Sequence, residues 1–308
     1  MKTFYQNQNG LVAVSEWQPN CWVNVESPDK LDKKFLLEDL GIPESFYNDI
    51  KDIDERPRIE VENGWWLIIM RIPLKSDDVK LPFYTIPVGI VFKDDVRVTI
   101  AFRQTEMLDD FVNYSARKKI DMHDNFDFVL KLLLSSSVWY LKYLKQVNQK
   151  IKLAEDNLEK SIKNEELQAL LQIEKCLVYF MTSLKGNDIL LHRLKNIRSQ
   201  RENYDAELLE DVEIELRQAQ ETTNIYSDIL TGTMDAYASV ISNNMNNIMK
   251  QMTSISIILM IPTVIASFYG MNVPNSLQEN PFGLWIIVGI SLIFSTFGVL
   301  LFRRRRWF

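Results

Sequence analysis

The chain has 308 residues, a formal net charge of −6 and two cysteines. Cys21 and Cys176 lie far apart and His123 and His192 are isolated, so neither a disulfide framework nor a cysteine/histidine metal site is predicted. The acidic balance gives no indication of nucleic-acid binding. We find no Gly-rich phosphate loop and no Ser/His/Asp set at motif spacing, so the sequence predicts neither an enzyme nor a cofactor.

Residues 1–120 are predicted to form a mixed α/β domain. Short β-rich runs indicate strands at Leu11–Ser15 and Cys21–Val25. Apolar residues at helical spacing predict a helix over Lys30–Leu40, with Gly41 where a helix C-cap would lie. A second short helix is expected from Pro43 toward Ile50.

Two hairpins complete this domain. Asn63-Gly64 interrupts the β-prone run Arg58–Met70, and this dipeptide supplies the positive φ angles of a tight turn. A second hairpin is predicted from Phe83–Phe92 and Val96–Phe102. The domain is predicted to be regulatory or structural rather than catalytic.

Long helices follow from about Glu106 onward. Asp124–Lys163 and Asn164–Arg198 are predicted as antiparallel helices that occupy residues 121–200 and join near residues 161–165. Leucines seven residues apart form a coiled-coil-like seam along the second of them: Leu170, Leu177, Leu184 and Leu191. We interpret this series as helix packing rather than as a ligand site.

A third helix is predicted over residues 205–271, after a polar break at 201–204. Its heptad positions are Leu209, Leu216, Thr223, Leu230 and Tyr237, with companions Val212, Ala219, Tyr226, Thr233 and Val240. A helix of about 65 residues would be on the order of 100 Å long. We expect such a stalk to need neighbouring subunits to bury it.

The C-terminal part predicts a membrane hairpin. Met252–Met271 and Phe282–Phe302 contain no charged residue, and each is about as long as one membrane crossing requires. A loop at 272–281 joins them, and a basic tail follows at 303–308. The positive-inside rule places the Arg303–Arg306 run, and hence both termini, in the cytoplasm of a protein in the plasma membrane.

A polar stripe follows one face of the third helix into the first span. Its residues are Asp235, Ser239, Ser242, Asn246, Met249, Thr253, Ser256, Met260 and Thr263. Polar residues at membrane depth usually face a cavity or a partner, and in a symmetric bundle of several copies each would form a ring around a pore. The alternative is that the hydroxyls bond back to the helix and that small residues aid packing.

The first span ends in Tyr269-Gly270-Met271-Asn272. With this motif between two C-terminal spans, the sequence resembles, along its whole length, the CorA family of magnesium channels. The resemblance implies a homopentamer with an α/β cytoplasmic domain, long coiled-coil-like helices and a two-helix transmembrane hairpin. It also implies that Gly270, Met271 and Asn272 select the ion.

Further residue roles follow from positions counted back from Gly-Met-Asn. The resemblance implies that Thr263, Met260, Met249, Asn246 and Asp235 line the pore, with Met252 at the hydrophobic gate. It implies that Asp49 and Asp211 hold regulatory Mg²⁺ between neighbouring subunits, with ordinary surface acids as the alternative. The proline of Ile261-Pro262 is shifted by one residue from the family pattern, and Glu279 is the one acidic residue of the loop.

The chemistry of this pore suits Mg²⁺, which gives up its waters reluctantly. Neutral amides at Asn272 can accept hydrogen bonds from those waters, and Met249 and Met260 are apolar constrictions that can close by dewetting. The predicted function is passive influx of Mg²⁺, and of Co²⁺ or Ni²⁺, gated by cytoplasmic Mg²⁺. The alternatives are a transporter of zinc or another divalent ion on the same scaffold, and a membrane-anchored adaptor that conducts nothing.

Overall fold

The computed structural model describes residues 1–7, 10–76, 78, 81–120, 124–160, 164–198, 205–272, 280–305 and 307. Internal contacts divide the chain into two compact units, Met1–Gly232 and Thr233–Phe308. The predicted helix connection at 161–163, the polar break at 201–204 and most of the predicted loop, 273–279, lie outside the described residues, as do His123 and Arg306.

A seven-stranded sheet forms the centre of the first unit, in the order β2-β1-β3-β7-β6-β5-β4. Strands β3 and β7 pair in parallel, and the other neighbours in this sheet pair antiparallel. The strands are β1 (Lys2–Asn7), β2 (Leu11–Val14), β3 (Trp22–Glu26), β4 (Arg58–Glu62), β5 (Trp65–Lys75), β6 (Phe83–Lys93) and β7 (Val96–Ala101).

Both predicted hairpins are confirmed. Asn63 and Gly64 have φ angles of 51° and 82°, which gives the tight turn between β4 and β5 its two left-handed positions. Asp94 has φ 45° in the turn between β6 and β7. Strand β1 was missed by the sequence reading, because its mixed polar composition, KTFYQN, lacks a clear alternating pattern.

The helices are α1 (Lys30–Lys34), α2 (Glu44–Lys51), α3 (Glu106–Lys118), α4 (Asn125–Lys160), α5 (Asn164–Arg198), α6 (Ala206–Tyr269) and α7 (Gly283–Arg304). The helix predicted over Lys30–Leu40 is α in its first half only, because Phe35–Asp39 form a π-helical turn. Gly41 follows with φ 72°, in agreement with the predicted stop signal.

The central strands are buried on both faces. On one face Ile50 of α2 lies so close to β6 that a Cβ on Gly89 would be 2.2 Å from its Cδ1, so glycine is needed there. On the other face Phe92 contacts Phe126 of α4, with ring centroids 5.6 Å apart. Burial on both sides explains why β5 and β6 are nearly continuous apolar runs.

The leucine seam of α5 is confirmed as core. Its four leucines are buried, and the largest exposed fraction among them is 2%. Helix α5 contacts α4 and also strands β4, β5 and β6. It is therefore packed on more than one side, which agrees with the interpretation of the seam as packing rather than a ligand site.

The heptad face of α6 is also buried within a single chain up to Leu230. The buried members are Leu209, Val212, Leu216, Ala219, Thr223 and Leu230. Lys195 of α5 forms a salt bridge with Glu213 of α6 at 2.6 Å, and the Gln220 amide donates to the Leu184 carbonyl at 3.2 Å. The expectation that these heptads need neighbouring subunits is therefore wrong for this half of the helix, because the single chain already buries them.

The second unit contains the C-terminal half of α6, together with α7. Both helices are long and apolar enough to cross a membrane, and almost none of either apolar stretch is buried within the chain. Apolar side chains that the chain leaves exposed on long helices suit a lipid environment. This agrees with the predicted hairpin.

Candidate ion pathway and acidic cluster

One face of α6 packs on α7. Ser254 is fully buried, and Ile258 and Ile261 lie so close to α7 that a Cβ on Gly298 would be 3.6 and 3.5 Å from them. These positions recur every three or four residues, so they share one side of the helix.

The polar stripe lies on the opposite side of α6. At 100° per residue, its members in the span are about 150° around the helix from the α7-facing residues. Its nine residues are exposed in the single chain: Asp235, Ser239, Ser242, Asn246, Met249, Thr253, Ser256, Met260 and Thr263. Met252 beside them is 64% exposed. The hairpin thus leaves the stripe available to a pore.

The hydroxyls of the stripe bond to their own helix. Ser256 donates to the Met252 carbonyl at 2.9 Å, and Thr263 donates to the Leu259 carbonyl at 3.2 Å. This is the bonding that the packing alternative anticipates. Each hydroxyl oxygen still has acceptor capacity, because only its proton is used. The two interpretations are therefore compatible at these positions.

The Gly-Met-Asn segment follows directly on α6. The Gly270 N–H donates to the Ala266 carbonyl at 2.9 Å, so helical bonding continues one residue past Tyr269. Among the described glycines, positive φ angles occur at Gly10, Gly41 and Gly64, and Gly270 does not share them. The chain therefore leaves the helix at Gly270 without a left-handed backbone conformation. Met271 and Asn272 are exposed beyond it.

Asp49 lies in an acidic cluster built around one arginine. Arg58 Nη2 contacts Asp49 Oδ2 at 2.7 Å and Glu60 Oε2 at 3.1 Å, and Arg58 Nη1 contacts Glu55. Burial raises the pKa of Asp49, while the charge of Arg58 acts in the opposite direction. The carboxylate predicted to hold regulatory Mg²⁺ therefore already has a cationic partner in the chain.

Arg71 joins this cluster to the long helices, and the sequence reading missed it. Its Nη1 donates to the carbonyls of Ile53 and Glu55, both at 2.8 Å, and its Nη2 donates to the Thr85 carbonyl at 2.9 Å. Its Nε donates to the Ser183 hydroxyl of α5 at 3.1 Å. The signal was available, since Arg71 is the one charged residue inside the apolar strand β5.

Asn187 of α5 strengthens the same junction. Its side chain accepts from the Arg71 N–H at 2.9 Å and donates to the Arg71 carbonyl at 2.7 Å. Beside it, a Cβ on Gly186 would lie 2.8 Å from Pro57 Cγ, so only glycine lets Pro57 approach α5 this closely.

Asp211 is exposed on α6, away from the buried heptad face. Within the residues that the structure describes, no group of three or more His, Cys, Asp or Glu side chains is arranged to hold a metal ion. Among the described residues, a single chain thus brings Asp49 together with Arg58 without assembling a metal site from acids alone.

Comparison with known proteins identifies the family. The model of the family described as CorA-like Mg²⁺ transporter protein matches residues 17–304. The chain belongs to the CorA family. That family is one of membrane transporters, which is consistent with the two candidate spans.

Two CorA relatives match almost the whole chain. The cobalt/magnesium transport protein CorA of Methanocaldococcus jannaschii is 28% identical over 291 residues, which cover 93% of this chain and 90% of that protein. The protein of the same name from Thermotoga maritima is 23% identical over 305 residues, covering 93% and 83%.

The fold agrees with a complete CorA structure. The CorA magnesium transporter of M. jannaschii matches with a TM-score of 0.85 and 25% identity, covering 100% of this chain and 99% of that one. The predicted fold class, an α/β domain followed by long helices and a C-terminal helix hairpin, is thereby confirmed.

Proposed function

We propose that this CorA-family chain forms a homopentameric channel that admits Mg²⁺, and also Co²⁺ or Ni²⁺, into the cytoplasm. The observation that carries the proposal is the position of the polar stripe, on the side of α6 opposite α7 and continuous toward Gly270-Met271-Asn272. Five copies with α6 inside and α7 outside would convert each stripe residue into a ring around one axis. Residues 1–120 and 121–200 would form the cytoplasmic part of this assembly.

The pathway divides into three chemical sections. Asp235, Ser242 and Asn246 would form polar rings at the cytoplasmic entrance. From Met249 into the span, the thioethers of Met249, Met252 and Met260 would form the constriction. Thr253, Ser256 and Thr263 would offer hydroxyl oxygens. Gly270, Met271 and Asn272 would form the outer mouth.

Asn272 is the proposed selectivity residue. Mg²⁺ keeps several of its waters in protein sites, and amide oxygens can accept hydrogen bonds from those waters. Softer metals favour cysteine or histidine ligands, and the stripe contains neither. The proposed selection is therefore for a hydrated hard cation.

The drive would be the ion gradient and the membrane potential. A charge that crosses 100 mV gains about 2.3 kcal/mol, so a divalent ion gains about twice that. The basic residues Arg303–Arg305 at the C-terminal end of α7 support a cytoplasmic C-terminus under the positive-inside rule. Because the chain has two spans, its N-terminus would lie on the same side.

Gating would depend on Asp49 and Asp211 from neighbouring subunits. Two carboxylates 4 Å apart repel each other by about 4 kcal/mol at an effective dielectric constant near 20. A bound cytoplasmic Mg²⁺ would replace that repulsion with attraction and hold the subunits closed. Its loss would allow the Met249–Met260 constriction to widen and wet, provided that the ion binds the closed state more tightly than the open one.

Ion flux into proteoliposomes tests the channel proposal. Asn272→Ala is expected to abolish Mg²⁺ uptake, and Asn246→Ala to reduce it, because both remove amide rings from the pathway. Asn244→Ala is the matched control, since Asn244 is an exposed amide about 160° around α6 from Asn246. Zn²⁺ and Co²⁺ are included as competitors.

Two results would contradict this proposal. One is normal uptake by a correctly assembled Asn272→Ala protein, which would remove the selectivity ring. The other is equal loss of uptake in Asn244→Ala and Asn246→Ala, which would show that the stripe has no special role. Preferred competition by Zn²⁺ would instead indicate the zinc transporter.

A further inference from the structure

Arg58 occupies the carboxylate at which the proposed regulatory ion would bind. We infer that Arg58 is a built-in competing cation, which sets the cytoplasmic Mg²⁺ concentration at which the channel closes. This inference rests on the proposed gating role of Asp49. It assigns a role to a residue that is neither in the pore nor a metal ligand.

The geometry makes Arg58 a strong competitor. Its guanidinium contacts three carboxylates, from Asp49 on α2, Glu55 in the connecting segment and Glu60 on β4. A planar guanidinium can contact several oxygens at once and remains charged at any physiological pH. It is also covalently tethered, so unlike a free ion it is present at every Mg²⁺ concentration.

The position of the cluster is fixed from outside. Arg71 holds the backbone carbonyls of Ile53 and Glu55, and Pro57 packs against Gly186 of α5. The Asp49–Arg58 pair therefore forms between two anchored elements, a short helix packed on the sheet and the first residue of a strand. Little reorganisation is needed to make the pair, which favours it over a mobile surface salt bridge.

Charge explains how the pair acts on Mg²⁺ binding. Three carboxylates around one guanidinium leave two negative charges in excess, so the cluster still attracts a divalent ion. Mg²⁺ at Asp49 must either displace the guanidinium or approach it as a like charge. Both cost binding free energy, so Arg58 raises the Mg²⁺ concentration required for closure without blocking the site.

The chain provides a matched control two residues away. Arg56 carries the same charge in the same segment, but its side chain is exposed and belongs to none of the three contacts that Arg58 makes. General electrostatic attraction of Mg²⁺ to the acidic surface would respond to the loss of either arginine. Competition at Asp49 responds to the loss of Arg58 alone.

The experiment measures Mg²⁺ inhibition of flux by the full-length protein in proteoliposomes. Arg58→Gln is expected to lower the half-inhibitory Mg²⁺ concentration about two- to fivefold, the range set by a partly exposed ion pair. Arg58→Lys, which keeps the charge but not the multiple contacts, is expected to give a smaller shift in the same direction. Arg56→Gln should leave the value within twofold of the unsubstituted protein.

A double substitution tests whether Arg58 acts through Asp49. In an Asp49→Asn background, Arg58→Gln should produce no further shift, because the contested carboxylate is absent. Mg²⁺-dependent thermal stabilisation of the same proteins is the second readout. The Mg²⁺ concentration needed for this stabilisation should change in parallel with the half-inhibitory concentration. The same measurement shows whether the Arg58→Gln protein folds, and if that protein does not fold, Arg58→Lys is used for the test.

The outcomes separate this inference from the proposed function. The competing role of Arg58 is overturned if the Arg58→Gln protein needs more Mg²⁺ for inhibition than the unsubstituted protein. It is also overturned if Arg58→Gln and Arg56→Gln have the same half-inhibitory Mg²⁺ concentration. Wild-type protein that conducts no Mg²⁺, or whose inhibition is unchanged by Asp49→Asn and Asp211→Asn together, overturns the channel or its gating instead. The inference is also overturned if Arg58→Gln shifts the half-inhibitory Mg²⁺ concentration more than Arg56→Gln does, but the shift persists in the Asp49→Asn background.

Discussion

At the scale of single residues, the acidic cluster and Arg71 show that partly buried charges of the first unit have oppositely charged or hydrogen-bonding partners. Asp49 is partly buried beside Arg58, with Glu55 and Glu60 around the same guanidinium. Its environment therefore contains one positive and two further negative groups. Burial has the largest effect on Asp49, and it raises the pKa of that carboxyl.

A pH dependence follows for Mg²⁺ binding at Asp49. Because its pKa is raised, Asp49 takes up a proton at a higher pH than an ordinary aspartate, whose pKa is about 3.9. Protonation removes the ligand charge, so Mg²⁺ inhibition should weaken as pH falls and should do so before ordinary surface aspartates titrate. The measurement is the half-inhibitory Mg²⁺ concentration as the pH is lowered stepwise from 7. Asp49→Asn should remove this dependence, and an unchanged pH profile in that variant would assign it to other groups.

Arg71 should be important for folding stability. Burial lowers the pKa of Arg71, so its charge is held against desolvation by the hydrogen bonds around it. Arg71→Met would leave the carbonyls of Ile53, Glu55 and Thr85 without this donor, and we expect a loss of about 2–4 kcal/mol in unfolding free energy. Thermal and denaturant unfolding of the full-length protein would measure it. Arg117→Met, at an exposed position of α3, should change stability little; equal effects would refute the special role of Arg71.

At the scale of elements, α6 changes its environment along its length. Up to Leu230 its heptad face is buried within the first unit, whereas from Thr233 onward it belongs to the second unit and is largely exposed. One continuous helix therefore contributes to a folded core and to a membrane span. The same heptad pattern runs through both parts of the sequence. Its residues are buried within the chain in the first part and are mostly exposed in the second.

This assignment predicts unequal effects of truncation on α6. Leu216→Ala should lower unfolding stability by about 2–5 kcal/mol, because Leu216 is only 1% exposed within one chain. Ile225→Ala, at a side chain that is 55% exposed, should change the stability of the chain by much less. Denaturant unfolding in detergent would compare the two. The assignment to an intrachain core fails if Leu216→Ala leaves stability unchanged and alters only assembly.

At the scale of the whole molecule, the exposed stripe predicts an assembly. Asp235, Asn246 and the hydroxyls beyond them are exposed in a single chain, and lipid contact would be costly for those at membrane depth. A shared aqueous pathway relieves that cost, and the CorA family suggests five subunits. Isoleucines on the outer face of α6, Ile214, Ile225 and Ile229, offer further apolar surface for neighbouring copies.

The expected result is a particle with the mass of five chains in mild detergent. Mass photometry, or light scattering corrected for bound detergent, would measure it, with Mg²⁺ present and absent. A monomer or dimer that still conducts Mg²⁺ would contradict the shared pore. Flux by a stable assembly of another size would preserve the shared pathway but refute the five-fold symmetry.

Local sequence patterns were enough to predict several elements of this protein from the sequence alone. The Asn63-Gly64 turn, the leucine seam of α5 and the two uncharged spans each depend on local spacing, and each is found where the pattern predicts it. The Gly-Met-Asn segment between the spans indicated the CorA family, which the comparisons confirm. Local periodicity sufficed because backbone geometry and burial on one face are properties of neighbouring residues.

Only the tertiary structure decided which partners the patterned residues have. The heptads of α6 were predicted to pack against neighbouring subunits, yet their first half is buried within the single chain. Periodicity shows that a face is buried without showing what buries it. Arg58 and Arg71 gave no periodic signal, and their roles depend on residues up to 116 positions away, as in the Arg71–Asn187 pair. Buried polar groups must find partners wherever the fold brings donors and acceptors together, and sequence spacing does not specify those distances.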